Sequence, residues 1–511
     1  MDCKLCYSCV LVWMLHSLST NAAPGQSHTN PRPPNFIFIL ADDLGYGDVG
    51  YNGGRAHTPH IDTLSRGPHS ARFNRFYSGA PVCTPTRGTL LTGRNHNRYC
   101  LWKANTPGKK CRSRSDDFNC PAQVLLPDSE ITVAEILQKE GYRTAVFGKW
   151  HLGDLKQLPG GKLPSSPGNN GFDAWKVTER SAPTSTPNCA CFDKSLCNLG
   201  HYSSISPPPC TNYHSRSPGS DTLTAHAEPI LKDDSEFVVD LFEEFLQDVV
   251  SSQETKPFFV YLPLHGVHQR FIATSPYDSP YKNNLTLSTE EIDYFATVTA
   301  IDSAVGRVRD MLKAYNLSDN TMLWFASDNG PENGTPGETG GLRDRKGSLH
   351  EGGIRVPGII EYPALMNTNL VSDIPIITND FLPTVCDVLN IPVPTDRPLD
   401  GISILPFLSK DAEKRNSTIK WAFKIKGDFN QGRYSAAILD DNYKLVANYS
   451  KGIFQKAALY DLSVDKSEQS KINFLLNYKE MSMYTKLTKE LEEWRQSVEH
   501  SASECLKKQD T

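Results

Sequence analysis

The chain has no excess of positive charge, no internal repeat and, beyond its N-terminus, no apolar run long enough to span a bilayer. Its 511 residues include 53 Lys and Arg against 58 Asp and Glu, a formal net charge of -5. This balance argues against a nucleic-acid-binding protein, which normally presents a basic face. The missing repeat and the missing apolar run argue against a solenoid and a membrane-spanning protein. With 38% hydrophobic and 22% charged residues, the chain is predicted to be an ordinary enzyme with a substantial core.

The N-terminus has the pattern of a secretory signal peptide. Lys4 precedes an apolar stretch over about residues 10–18, and the small residues Ala22 and Ala23 follow as a cleavage-type sequence. We therefore predict a signal peptide over residues 1–22 and a mature protein that is either secreted or lysosomal. A disordered or buried N-terminal strand is the alternative, and the Pro-rich stretch that follows counts against it.

Thirteen cysteines fit an oxidising compartment. Cys386 lies in an apolar, helix-like segment, so it is predicted to be a buried free thiol. Eight others are candidates for disulfides whose pairing stays open: Cys100, Cys111, Cys120, Cys189, Cys191, Cys197, Cys210 and Cys505. Zinc binding by Cys189, Cys191 and Cys197 is the rival interpretation, but their irregular spacing favours disulfides. Possible glycosylation sites are Asn284, Asn316, Asn333, Asn416 and Asn448.

Four short apolar runs are predicted as strands of an α/β sheet, and polar side chains follow each of them. The runs are Asn35–Leu40, Arg143–Phe147, Phe258–Leu262 and Met322–Ala326. The polar residues behind them are Asp42 and Asp43, Lys149 and His151, His265 and His268, and Asp328 and Asn329. Singly, each has an ordinary explanation as a turn, a solvated lysine or a core histidine. Because open α/β sheets bind ligands at the carboxyl ends of their strands, the four together predict one site.

Cys83 begins a Cys-Thr-Pro-Thr-Arg segment that is predicted to start a short helix. Pro85 suits the first helical position and Gly93 suits the C-terminal cap. Such a helix would direct free N–H groups and the positive end of its dipole at the region of Cys83. An anionic ligand is therefore expected there.

Charge decides what the predicted site could hold. Three carboxylates, those of Asp42, Asp43 and Asp328, repel one another in one cleft unless a cation neutralises them or their pKa values rise. Together with the Asn329 amide they favour calcium first and magnesium second. The positive groups suit an anionic ester, and they are Arg87, Lys149, His151, His268 and Lys346.

After the signal peptide, the chain is predicted to divide into two parts. Residues 34–408 are predicted to form the catalytic domain, and within it residues 178–221 form a Cys-, Pro- and Ser-rich surface insertion. Residues 409–511 are predicted to form a C-terminal subdomain in which three alternating strands precede a charged helix from about Tyr478 to His500.

The Cys83–Arg94 segment, C-T-P-T-R-G-T-L-L-T-G-R, resembles the C-x-P-x-R signature of the sulfatases. Gly148–Gly153 reproduces their G-K-W-H-L-G segment, and the resemblance extends from Pro34 to the Leu459–Leu462 stretch. It implies an alkaline-phosphatase-like sandwich with a large mixed sheet flanked by helices, plus a smaller C-terminal antiparallel sheet and helix. The segment Arg343–Gly353 is most similar to the N-acetylgalactosamine-4-sulfatase type.

The resemblance also implies roles for individual residues. Cys83 matches the cysteine that a formylglycine-generating enzyme oxidises to formylglycine. One Ca²⁺ would be held by Asp42, Asp43, residue 83, Asp328 and Asn329. The catalytic set would be residue 83, Arg87, Lys149, His151, His268 and Lys346. Substrates would be sulfated small molecules or sulfated glycans.

In the implied mechanism, one hydroxyl of the hydrated aldehyde at position 83 attacks the ester sulfur, and the retained hydroxyl later collapses and expels sulfate. Asp328 or a metal-bound oxygen would help to deprotonate the attacking hydroxyl, and His268 and Lys346 would protonate or stabilise the leaving alcohol. Lys149 would clamp the sulfate, and the retained hydroxyl would be deprotonated near His151. Three alternatives stay open: a phosphonate or phosphate ester hydrolase of the same fold, a cysteine hydrolase, and a non-catalytic secreted glycan-binding protein.

Overall fold

The computed structural model describes residues 32–102, 125–153, 155, 165–178, 213–216, 223–226, 232–252, 255–423, 434–472 and 478–507. The predicted signal peptide at 1–22 and most of the predicted insertion at 178–221 lie outside these residues. Among the described helices, none is long and apolar enough to cross a membrane.

Seventeen strands are present in the described residues. They are β1 Asn35–Ala41, β2 Ser70–Phe73, β3 Phe76–Tyr77, β4 Arg143–Lys149, β5 Ala174–Thr178, β6 Tyr213–Arg216, β7 Leu223–His226, β8 Phe258–Pro263, β9 Thr321–Ser327, β10 Arg355–Val356, β11 Gly358–Glu361, β12 Leu370–Ser372, β13 Ile376–Ile377, β14 Ile419–Phe423, β15 Tyr434–Asp440, β16 Tyr443–Ser450 and β17 Ile453–Asp461. The described α-helices are α1 Pro59–Arg66, α2 Cys83–Thr92, α3 Val133–Lys139, α4 Asp234–Ser251, α5 Thr289–Ala314, α6 Glu351–Ile354, α7 Phe381–Val388, α8 Leu405–Leu408 and α9 Tyr478–Lys507.

A ten-stranded mixed sheet forms the centre of the molecule, in the order β12-β2-β11-β9-β1-β8-β4-β5-β6-β7. The four strands predicted from the apolar runs lie side by side and parallel, as β9, β1, β8 and β4. Beyond β9, the strand β11 is antiparallel to β9 and to β2; beyond β4, the parallel strand β5 is followed by the antiparallel strands β6 and β7. One of them, β6, lies inside the stretch predicted as a surface insertion, so part of that stretch belongs to the main sheet.

Both faces of the sheet are covered, which explains why its central strands are continuously apolar. In β1, Phe36 and Phe38 point to the face that packs against α7, whereas Ile37 and Ile39 point to the face that packs against α4 and α5. Capping boxes begin two of the helices. Thr132 and Glu135 cap α3, and Ser288 and Glu291 cap α5.

The C-terminal part is a four-stranded antiparallel sheet, β14-β15-β16-β17, with α9 against one face. The fourth strand, β17, was not predicted from the sequence, and α9 extends beyond the predicted end at His500. The other face packs on the catalytic part, where Trp421 contacts Tyr77 and its Nε1 donates to Ser78 O at 2.9 Å. The predicted domain boundary between residues 408 and 409 directly follows α8 and stays a prediction.

A buried ion-pair cluster also joins the two parts, and we call it the interface cluster. Its central cation, Lys444 on β16, lies 2.8 Å from Glu351 Oε1 and 3.0 Å from Glu468 Oε1. The Tyr77 hydroxyl donates to Glu351 Oε2 at 3.0 Å. The side chains of Lys444, Glu351 and Glu468 are fully buried.

Candidate active site

The carboxyl ends of β1 and β9 bring the predicted acidic residues together. Ala41 pairs with Ser327 at the end of the shared register, so Asp42 and Asp328 leave the sheet side by side. The Asp328 amide donates to Ala41 O at 3.0 Å, and the Asp42 amide donates to Gly266 O at 2.8 Å in the loop after β8. The sheet register therefore places three predicted segments around one point.

Gly148 explains how β4 delivers its lysine to the same point. Its φ of 120° lies in the region that favours glycine, and an added Cβ would lie 2.1 Å from Pro263 O on the neighbouring strand. Lys149 is the last residue of β4 rather than a residue beyond it, and its ammonium contacts the Asp42 carboxylate. The glycine thus permits the close strand approach that buries Lys149.

Cys83 is the first residue of α2, and its thiol faces the carboxylates. The Sγ atom lies 3.3 Å from Asp42 Oδ1 and 3.9 Å from Asp43 Oδ1, and the residue is almost fully buried. The prediction that Pro85 takes the first helical position is wrong, because the helix begins two residues earlier; the N–H that proline lacks would still have no partner in this first turn. Gly93 does cap the C-terminus, with a φ of 68°.

The chain's own cations pair with the three carboxylates. Arg87 donates to Asp328 Oδ2 at 2.9 Å and lies 3.4 Å from Asp42 Oδ2. Lys346 reaches Asp43 Oδ2 at 2.7 Å. With Lys149 on Asp42, three cations face three carboxylates, so repulsion alone does not require a metal ion here, contrary to the argument from sequence.

A second observation supports a cation site independently of charge. Ligand atoms of Asp42, Asp43, Cys83 and Asp328 lie within 4.8 Å of one another. The Asn329 Nδ2 donates to Asp43 Oδ1 at 2.6 Å, while its buried Oδ1 has no hydrogen-bond partner. A buried amide oxygen without a donor beside three carboxylates is a donor set that fits an oxygen-preferring cation such as Ca²⁺.

The same crowding shifts the pKa values of the site. Burial would raise the pKa of Asp42, but Lys149, His268, Arg87 and Lys346 hold it well below its usual value. Burial, with the charge of Asp42, raises the pKa of Asp328 to about 7. Burial and the nearby Asp328 and Asp42 carboxylates raise the pKa of the Cys83 thiol well above its usual value, so the unmodified residue is held as a thiol.

The two predicted histidines occupy different positions. His268 is 22% exposed, its Nδ1 donates to Gln269 O at 2.6 Å, and its Nε2 lies 3.9 Å from Asp43 Oδ2. The Nε2 atom is therefore the one available to a ligand. His151 is buried, with a φ of 57°, and its carbonyl accepts from Thr84 Oγ1 at 2.9 Å. Burial, with the charges of Lys149 and Arg87, lowers the pKa of His151 well below its usual value.

Sequence reasoning identified only one of the groups that hold the loop of His268 in place, His265, and missed its partners. His265 Nδ1 lies 2.6 Å from Asp234 Oδ2, and its Nε2 lies 2.6 Å from Thr178 Oγ1. Tyr213 donates to the other Asp234 oxygen at 2.5 Å. His265 was visible after the third apolar run, but nothing local marked Asp234 or Tyr213. Glu332, whose carboxylate groups with Asp43 and His268, was also missed.

The predicted site residues all come to the carboxyl edge of the sheet, and the architecture is the expected alkaline-phosphatase-like α/β sandwich with a separate C-terminal sheet. A family model described as "Sulfatase" matches residues 34–391. The chain belongs to the sulfatase family. A second model, "N-sulphoglucosamine sulphohydrolase, C-terminal", matches residues 337–497.

Curated relatives agree with this membership. Human N-acetylgalactosamine-6-sulfatase is 28% identical over 388 residues, which cover 74% of this chain and 66% of the relative, just under two thirds of its length. Human arylsulfatase A is 29% identical over 459 residues, covering 86% of this chain and 83% of the relative. Rat arylsulfatase G is 30% identical over 405 residues, which cover 73% of this chain and 68% of the relative. The resemblance to the 4-sulfatase type stays a prediction.

Solved structures support the fold. The crystal structure of Ps i-CgsB matches with a TM-score of 0.73 and 25% identity, covering 91% of this chain and 93% of that chain. A phosphonate monoester hydrolase of Agrobacterium radiobacter matches with a TM-score of 0.58 and 19% identity, covering 91% and 96%. At that identity the second match shows the fold alone.

Proposed function

We propose that the protein hydrolyses sulfate monoesters, either aryl sulfates or sulfated carbohydrates, with a formylglycine made from Cys83 and one Ca²⁺. The observation that carries the proposal is the environment of Cys83. Its buried thiol lies at the first turn of α2, 3.3 Å from Asp42 Oδ1. Three carboxylates, three cations and an amide oxygen without a hydrogen-bond donor surround it. Family membership and the names of the relatives support the same reaction.

The residues that would hold Ca²⁺ are Asp42, Asp43, Asp328, Asn329 and residue 83. When bound, the ion supplies a Lewis acid that stabilises negative charge at residue 83 and on the sulfate. Because the three cations already balance the three carboxylates, a divalent ion would leave the centre with surplus positive charge. That surplus suits a sulfate ester, which carries one negative charge.

The chain's own residues would divide the remaining work. Lys149 and Lys346, whose ammonium groups contact Asp42 and Asp43, would bind the sulfate oxygens. His268, whose Nε2 lies 3.9 Å from Asp43 Oδ2, would pass a proton to the leaving alcohol together with Lys346. Arg87 is tied to Asp328 and to Lys149 O at 2.7 Å, so it would hold these groups in position. His151 would accept a proton from residue 83.

The modification at Cys83 would supply, in hydrated form, both the nucleophilic hydroxyl and the second hydroxyl through which sulfate is released. We propose that a formylglycine-generating enzyme installs it during biosynthesis in the secretory pathway, and that the protein is then secreted or lysosomal. An unmodified cysteine hydrolase leaves the oxygen-rich cation site without a purpose. A glycan-binding protein without turnover would not need the complete catalytic set.

A phosphonate or phosphate ester hydrolase is the second candidate, because the phosphonate monoester hydrolase of Agrobacterium radiobacter shares the fold. A site with net positive charge would suit a phosphate or phosphonate ester as well as a sulfate ester. Turnover separates the two, because catalysis depends on differential stabilisation of the transition state rather than on ground-state affinity.

The test combines peptide mass analysis with kinetics on protein from a secretory host. We expect the peptide containing residue 83 to carry an aldehyde in place of the thiol, and Cys83→Ala to abolish hydrolysis of an aryl sulfate. Cys386→Ala, which alters the buried free thiol of α7, is the matched control and should retain activity. Full activity with unmodified Cys83 would refute the formylglycine proposal, and faster turnover of the matched aryl phosphate would favour the second candidate.

A further inference from the structure

A cavity of about 430 Å³ lies between the loop that carries Lys346 and the C-terminal sheet. Four basic side chains and two rings line it: Arg343, His350, Lys456, Lys471, Phe423 and Tyr460. Its volume is in the range of small-molecule sites. A larger cavity of about 1050 Å³ has acidic as well as basic residues in its wall, and its buried Arg75 and Arg415 are already bound to Asn442 and Asp380.

All the ionisable groups that line the smaller cavity, apart from Tyr460, are basic. None of its described lining residues is a carboxylate, and Lys456 and Lys471 form no ion pair with any carboxylate that the structure describes. Arg343 donates to two neutral oxygens, Tyr460 Oη at 3.1 Å and Glu468 O at 3.0 Å. Two acids contact lining residues from behind the wall: Glu468 is paired with His350 at 3.1 Å and with Lys444 at 3.0 Å, and Asp344 Oδ2 accepts from Ser348 Oγ at 2.9 Å.

The cavity begins next to the candidate active site. Gly347 lines it and follows Lys346, whose ammonium lies 2.7 Å from Asp43 Oδ2. The Gly347 amide donates to Pro81 O at 2.9 Å, two residues before Cys83. The loop of Lys346 therefore has the reacting centre at one end and the basic cavity along the following residues.

We propose that this cavity binds a second anionic group of a multiply sulfated oligosaccharide whose reacting sulfate is held at the centre. The inference rests on the proposed sulfatase function and names its substrate class, an anionic glycan chain rather than a small aryl sulfate. The lysines and Arg343 provide the charge, and Phe423 and Tyr460 provide apolar surface for a sugar ring. The C-terminal sheet thus contributes to substrate selection as well as to stability.

Two substitutions test the proposal, Lys456→Gln and Lys471→Gln. Lys451→Gln is the matched control, because Lys451 is an exposed lysine at the turn between β16 and β17 and lies outside the cavity. The substrates are p-nitrophenyl sulfate and a panel of tetrasaccharides from chondroitin 4-sulfate, chondroitin 6-sulfate, heparin and κ-carrageenan. Binding of each tetrasaccharide to Cys83→Ala, with and without the lysine substitutions, is measured by calorimetry.

We expect at least one tetrasaccharide to lose about fivefold in kcat/KM and in affinity with each lysine substitution, and less with the control, while p-nitrophenyl sulfate turnover stays within about twofold. If the wild type hydrolyses neither the aryl sulfate nor any tetrasaccharide, the proposed function fails. If it hydrolyses either of them but no tetrasaccharide responds to the substitutions of Lys456 and Lys471, the cavity proposal alone fails. Complete glycosylation of Asn448, which lines the cavity, would also overturn it, because that glycan would fill the space.

Discussion

The candidate active site and the interface cluster are both built from buried acids and cations, but they differ in access. In the interface cluster, the side chains of Lys444, Glu351 and Glu468 are fully buried, and the single lysine joins two carboxylates. In the active site, Lys346 is 15% exposed and His268 is 22% exposed. The Asn329 amide oxygen there also lacks a hydrogen-bond donor.

This difference separates charge used for stability from charge used for binding. When one partner of a fully buried ion pair is removed, the free energy of unfolding falls strongly, because the remaining charge cannot be solvated. A site with partly exposed cationic side chains and an oxygen that lacks a hydrogen-bond donor can bind a ligand, which then replaces some of the ion pairs within the site. Substitution of one lysine in each cluster should therefore give opposite results.

Lys346→Met should show the largest effect. We expect kcat/KM for an aryl sulfate to fall about 10³-fold, close to 4 kcal/mol in barrier, because a cation facing the sulfate and leaving oxygen is lost. The free energy of unfolding should change less than in Lys444→Met, because the Lys346 side chain is partly exposed and Asp43 keeps its hydrogen bond from Asn329 Nδ2. Initial-rate kinetics and urea unfolding check both. A variant that unfolds readily while its folded fraction stays active would contradict the assignment.

Lys444→Met should give the converse. The free energy of unfolding should fall by about 3–4 kcal/mol, because Glu351 and Glu468 are left facing each other without a cation. Activity per folded molecule should stay within a few-fold. Lys486→Met is the matched control, since Lys486 is 51% exposed in its ion pair with Asp440 and should cost little. If Lys444→Met and Lys486→Met lost the same free energy of unfolding, the stabilising role assigned to Lys444 would be wrong.

Removal of the metal should affect only the active site. Saturating Ca²⁺ at about 100 times its Kd should stabilise the protein by about 2.7 kcal/mol relative to chelated protein. Thermal unfolding with EGTA and with added Ca²⁺ measures this difference. The Lys444→Met variant should show the same increment, whereas Asp43→Ala should lose it; an unchanged increment in Asp43→Ala would exclude that residue as a ligand.

Lowering the pH should destabilise the protein through the interface cluster, and this is the smallest of the four predicted effects. Burial opposes ionisation of Glu468, but Lys444 and His350 lower its pKa to about 2, below the usual value of 4.5. A lowered carboxyl pKa contributes stability that is full above pH 4.5 and is lost as pH falls toward 2. We expect a loss of at most about 2 kcal/mol between pH 5 and pH 3, measured by urea unfolding. A Glu468→Gln variant with the same pH slope as the wild type would contradict this.

Local patterns were sufficient for the four central strands and for several helix ends. The apolar run at Asn35–Leu40 became β1 because both faces of a central parallel strand are covered, and such strands are recognised by continuous apolar residues. The capping boxes at Thr132 and Ser288 were visible because a cap is made within four residues. The start of α2 was misplaced by two residues, because Pro85 is also tolerated within the first turn.

The sequence by itself determined which residue types follow the four central strands, and therefore that Asp42, Lys149, His268 and Asp328 share one edge of a sheet. Only the tertiary structure decided how their charges are paired and which oxygen lacks a donor. It also brought Asp234 and Tyr213 behind His265, and Arg343 beside Tyr460. The physical reason is distance along the chain: caps and strands depend on near neighbours, whereas ion pairs and cavities depend on segments that meet only when the sheet register and the packing of the C-terminal sheet are set.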